Sequence, residues 1–147
     1  QIVDRVAVAK RLQEQIQQAF YQLAQHLAQQ NDRPKVAYLI WRKPYMVAAQ
    51  GTFIDEMLQL GGFRNAFAQQ NRYPAVNQEA LQAAAPAFVF LSSEPYPFKE
   101  QHQADLQTIC PTARIELVDG ELFSWYGSRL LHSAPYLLNL RNKLDLR

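Results

Sequence analysis

Three stretches of this 147-residue chain concentrate side chains able to grip or to react: "WRKPYM" (41–46), "SSEPYPF" (92–98) and "DGELFSWYGSR" (119–129). They carry the aromatics Trp41, Tyr45, Tyr96, Phe98, Phe123, Trp125 and Tyr126, the cations Arg42, Lys43 and Arg129, and the carboxylates Glu94 and Glu121. Flat rings with polar handles, flanked by a few charges, suit a concave edge that holds a large, partly apolar ligand. The same stretches offer a covalent alternative. Ser92 or Ser93, with Glu94 or Glu121 as acid or base, would make a small α/β enzyme acting on an aromatic or phosphorylated metabolite. A third option is an interaction module that docks another protein by this aromatic edge.

The motifs of catalysis are missing. There is no G-x-S-x-G elbow, no Walker A loop, no G-x-G-x-x-G after the first strand and no H-E-x-x-H. His26 and His132 stand alone on helices, and His102 lies on an apolar helix face, so all three read as structural. Cys110 is the single cysteine; it has no Cys or His at ligand spacing and cannot form an intrachain disulfide.

The elements that position these residues follow from periodicity. Residues 2–30 form one long amphipathic helix, with Val6, Leu12, Ile16, Phe20, Leu23 and Leu27 spaced by three and four among many glutamines. "QQNDRP" ends it. "KVAYLI" (35–40), "AFVFL" (87–91) and "RIELV" (114–118) read as strands, the second buried on both faces. Thr52 and Asp55 open the helix "FIDEMLQL" as a capping pair, and Gly61-Gly62 closes it. Asn77 caps "QEALQAAA". A further helix carries Phe98, His102, Leu106 and Ile109 on one side. Pro135 interrupts the last helical region by starting a second piece at a first-turn position. Alternating strand and helix predicts an α/β fold, a three-layer Rossmann-like lobe with a largely parallel sheet. In such a sheet the strand-exit loops share one edge, where ligands bind. Singly, the residues have plainer readings. Tyr45 and Tyr96 fit caps of the sheet edge, Met46 a gap filler, Trp125 the buried core, and Arg129 a helix-start partner of Glu121 or Asp119.

Composition sets the bounds. The length implies one domain with a real core. Net charge is only +2, with Lys and Arg scattered, which points away from nucleic acid. No run is long enough to be a membrane-spanning helix. The chain begins at Gln1 without Met and is helical almost at once, which points to a piece of something longer.

The segments "GTFIDEMLQLGGFRNAF", "RYPAVNQEALQAAAPAFVFLSSEPYPF" and "VDGELFSWYGSRLL" resemble one half of the helical-backbone metal receptors. These are the periplasmic substrate-binding proteins of ABC importers for cobalamin and iron–siderophore complexes. "LxxGGxxNxF" followed by "P-x-V-x-x-E-x-L" is the specific part. In that family two α/β lobes are joined by one long rigid helix, and the ligand lies between them. The resemblance implies that residues 1–33 are part of the connecting helix and 34–147 the C-terminal lobe, without the N-terminal lobe. It implies a binding protein rather than an enzyme, with no cofactor of its own and a ligand that carries its own iron or cobalt. It also implies cleft positions for Tyr45, Tyr73, Trp125 and Tyr126, with Glu79 docking the lobe onto arginines of the membrane permease; Trp41, Arg42, Tyr96 and Arg129 of the strand-exit loops complete the expected cleft wall. Without its other lobe the exposed aromatic edge is expected to self-associate.

Overall fold

The computed structural model of the chain describes residues 2–123 and 130–145. Helix α1 (Ile2–Leu27) leads into strand β1 (Lys35–Trp41), then β2 (Tyr45–Val47), α2 (Phe53–Leu60), β3 (Arg64–Asn65), β4 (Ala75–Val76), α3 (Gln78–Ala84), β5 (Phe88–Ser92), α4 (Glu100–Ile109) and β6 (Arg114–Val118). A 3-10 turn at Gly120–Phe123 and helix α5 (Leu130–Asp145) complete the order. The sheet runs β4-β2-β1-β5-β6, and β3 pairs with the first half of β1. Strands β1, β5 and β6 are parallel, so their C-terminal ends share one edge, as the alternation of elements predicts.

Strand periodicity builds the layers. Val36, Tyr38, Phe88 and Phe90 face one side, where Leu23 of α1, Met57 and Leu58 of α2, and Leu137 and Leu144 of α5 cover them. Ala37, Leu39, Val89 and Leu91 face the other, under Leu81 of α3 and Leu106 and Ile109 of α4. Every residue of β5 is buried, the condition its unbroken apolar run anticipates.

Local chemistry sets the boundaries. Thr52 Oγ1 accepts the Asp55 N–H at 3.0 Å, but the Asp55 carboxylate does not complete the predicted capping box. It accepts instead from Asn65 Nδ2 at 2.9 Å and Gln59 Nε2 at 3.1 Å. Helix α2 ends in a Schellman motif: Phe63 N–H reaches Leu58 O, Gly62 N–H reaches Gln59 O, and Gly62 supplies the positive φ of +83°. The motif "LxxGGxxNxF" is therefore mainly architectural. Gly61 and Gly62 turn the chain, Asn65 bridges Ala48 O and Asp55, and Phe67 fills the second core.

Four expectations change. Helix α1 stops at Leu27 rather than residue 30, because the chain turns over 28–30 before it reaches Pro34. "WRKPYM" is not one loop: Arg42–Pro44 is a tight turn, and Tyr45 and Met46 lie on β2, antiparallel to β1. Phe98 precedes helix α4 rather than riding on it. Pro135 starts no second helix; α5 continues through it. Buried Ser133, Ala134, Leu137 and Leu140 lie on both sides of the proline, and that burial offsets the hydrogen bond the proline cannot make.

Candidate functional site

The exit loops of β1 and β5 meet at the shared sheet edge. Tyr96 N–H donates to Ile40 O at 3.2 Å, which pins the second loop against the end of β1. The Tyr96 ring stands edge-on to Trp41 at 5.5 Å and packs against Phe98 at 4.8 Å and His102 at 5.5 Å. Trp41, 40% exposed, forms the outer face of this cluster, while Phe98 and His102 are buried beneath it. The result is a solvent-facing indole held by a fixed aromatic base.

Arg42 follows in the β1–β2 turn. Its side chain is 24% exposed and reaches Asp105 Oδ2 of α4 at 3.4 Å. Burial works against its charge, but the hydroxyls of Tyr96 and Tyr45, together with Asp105, outweigh it and raise its pKa. Burial likewise pushes the Tyr45 hydroxyl up against the pull of Arg42, so Tyr45 is a neutral hydrogen-bonding group. Arg42, Lys43, Tyr45 and Asp105 line a groove of about 630 Å³ floored by Val76 and Ile109.

The other predicted residues distribute unevenly. Tyr73 is 40% exposed and lies in the bend just ahead of the outer strand β4, whose Val76 pairs with Tyr45. It is not part of the Trp41–Tyr96 cluster. Glu79 is exposed in the first turn of α3, behind Asn77, whose side chain caps that helix at 2.8 Å. Trp125, Tyr126 and Arg129 lie outside the described residues. Glu94 packs close to Gly120, so the exits of β5 and β6 touch, with Glu121 exposed on the following turn.

The serines are committed elsewhere. Ser92 is 1% exposed, receives the Tyr38 hydroxyl at 3.1 Å and donates to Glu94 O at 2.6 Å. Ser93 Oγ accepts the Gly120 N–H at 2.9 Å. Among the described residues Ser92 meets Glu94 through its backbone, and both serine hydroxyls are engaged in holding the β5 and β6 exits. No group of three or more His, Cys, Asp or Glu among the described residues is placed to hold a metal ion.

Two residues of the site escape sequence reasoning: Asp105 and His102 as they bear on Arg42 and Tyr96. Both sit on α4 rather than in an exit loop, and only the parallel crossover brings them under the edge. His102 Nδ1 accepts the Lys99 N–H at 2.9 Å, and its Nε2 lies 3.4 Å from the Tyr96 hydroxyl.

The family described as periplasmic binding protein matches residues 1–114. No curated protein matches the chain. Among solved structures, a possible iron-binding (periplasmic solute-binding) protein from Staphylococcus epidermidis ATCC 12228 superposes with a TM-score of 0.77 at 19% identity, over 98% of this chain and 57% of its own. The periplasmic heme-binding protein BhuT in complex with two hemes gives 0.73 at 26% identity, over 95% and 55%. The vitamin B12 binding protein BtuF of Vibrio cholerae gives 0.69 at 19%, over 92% and 52%. The chain thus spans little more than half the length of the structures it matches. No helix among the described residues is long and apolar enough to cross a membrane.

Proposed function

The chain belongs to the periplasmic binding protein family, and from that premise we propose that it is the C-terminal lobe of a two-lobed receptor serving an ABC importer. In this reading residues 1–33 belong to the helix that joins the lobes, and 34–147 form one wall of the ligand cleft. The receptor works in the periplasm and binds without catalysis. Its ligand is an intact metal chelate such as a heme, a corrinoid or a ferric siderophore, whose metal is carried by the chelate. Structural relatives that bind heme and vitamin B12 support the ligand class. Trp41, Arg42, Tyr45 and Tyr96 are the contact residues on this wall. Tyr73, Trp125, Tyr126 and Arg129 are proposed as further contacts, and Glu79 as the carboxylate that docks on the permease.

The observation that carries the reading is the Trp41–Tyr96 pair at the strand-exit edge. It presents an exposed indole on a rigid aromatic base, beside a cation. A flat macrocycle stacks well on such a surface. Titration of the chain with hemin and with cyanocobalamin, followed by tryptophan quenching, tests it. The expected result is saturable quenching by at least one, weakened about tenfold or more when Trp41 and Tyr96 are both replaced by alanine. No saturation by either, or equal affinity in the double variant, refutes the assignment.

A further inference from the structure

We propose that Asp105 is a resident counter-ion of Arg42 that an anionic ligand displaces, and that His102 holds Arg42 on target through Tyr96. The proposal rests on the receptor reading above and narrows its ligand to chelates that carry a carboxylate or similar anionic arm.

The charges on the groove decide its preference. Arg42 and Lys43 line it together, with Asp105 the acid facing them. Lys43 is exposed at the tip of the turn, while three-quarters of the Arg42 side chain is out of water. Arg42 Nε is buried without a hydrogen-bond partner among the described residues. Its carboxylate partner is half exposed and sits at 3.4 Å, long for a charge-assisted bond. A desolvated guanidinium with an incomplete set of acceptors is therefore matched to a weak, water-accessible acid. Such a pair is worth little, so a ligand carboxylate entering the groove competes with it on favourable terms.

The aim of Arg42 is set from beneath. Because His102 Nδ1 accepts the Lys99 N–H, a neutral imidazole carries its proton on Nε2, facing the Tyr96 hydroxyl. The Tyr96 ring stands edge-on to Trp41, the residue next to Arg42, and Tyr45 lines the groove together with the guanidinium. The imidazole ring is nearly perpendicular to Phe98 at 5.6 Å, so it has little freedom to turn. His102 is thus a positioning residue; it touches Tyr96, whose ring packs on Trp41 at the start of the turn that carries Arg42.

The test compares hemin, with two propionates, against hemin dimethyl ester, its uncharged counterpart, on the 147-residue chain. The ratio of the two affinities reads charge recognition separately from stacking. Wild type is expected to favour hemin by about tenfold. Asp105→Asn should tighten hemin by about two- to fivefold and leave the diester unchanged. Arg42→Gln should bring the ratio close to one. His102→Asn keeps an acceptor for the Lys99 N–H but is too short to reach Tyr96, and it should also lower the ratio. A merely structural role for either α4 residue would weaken both probes in parallel and keep the ratio, which overturns the proposal. So does weaker hemin binding by Asp105→Asn. Failure of wild type to bind either hemin probe while it binds cyanocobalamin overturns this proposal and leaves the receptor reading standing; failure to bind all three overturns both.

Discussion

Arg141 offers the sharpest test of how the long helix is joined to the lobe. Its side chain is 1% exposed, and one guanidinium nitrogen donates to Gln30 Oε1 at 2.8 Å, Asp32 O at 3.0 Å and Asp32 Oδ1 at 3.3 Å. The guanidinium lies 5.4 Å over the Phe63 ring. Hydrogen bonds from a charged donor contribute about 1.5–3 kcal/mol each, but burying the ion costs several kcal/mol, and these largely cancel. What remains is the packed stem: three methylenes at about 0.8 kcal/mol each, plus the cavity left behind. Arg141→Ala should therefore cost about 2–4 kcal/mol. Arg141→Met keeps most of the stem and removes the desolvation cost, so it should lose less than half as much. The Asp32 carboxylate is 72% exposed, and its contribution is screened by water, so Asp32→Asn should cost less than about 1 kcal/mol. Urea unfolding followed by circular dichroism measures all three. If Asp32→Asn matches Arg141→Ala, or Arg141→Met is as damaging as Arg141→Ala, then the ion pair dominates and the packing argument is wrong.

Two further outcomes follow from buried groups at the sheet. Burial pushes the Tyr38 hydroxyl far above the ordinary tyrosine value, with only its bond to Ser92 pulling down. The unfolded chain therefore loses that proton first as pH rises past about 10, and stability should fall beyond that point by up to about 1.4 kcal/mol per pH unit. Tyr38→Phe should flatten this alkaline slope in denaturation curves taken across the range; an unchanged slope assigns it elsewhere. Gly120→Ala places a methyl against Ser92 Oγ and 2.8 Å from Glu94 Cγ, where the exits of β5 and β6 touch. It should destabilise by about 1–3 kcal/mol and weaken hemin quenching, whereas wild-type stability would mean the two loops part freely.

Periodicity and capping residues made most of the scaffold readable before any coordinates. The strands at 88–92 and 114–118 and the helix 53–60 with its Thr52 cap stand where their patterns place them, or within a residue. Strand β2 was invisible because three residues after a proline are too few for alternation to register. Asp55 misled for a different reason: its pattern fits a box, but tertiary contact with Asn65 takes the carboxylate away. At the site, residue type alone picked out Trp41, Arg42, Tyr45 and Tyr96. Tyr73 was grouped with them by family pattern alone. Asp105 gave no local signal and His102 only its place on an apolar helix face, since their bearing on the edge depends on α4 crossing beneath it.

Helix α1 packs on the main core at Ala19, Phe20, Leu23 and Leu27, while Val6 and Val8 stand in solvent. The stretch ahead of Ala19, about seventeen residues, is about 25 Å long at 1.5 Å per residue. Mechanically this is a lever seated at its C-terminal end, with Arg141 gripping the chain just past that seat. A tilt of about 5° at the seat sweeps the far tip through about 2 Å over that length. Small changes of fit where the helix enters the lobe are thereby magnified at its distant end.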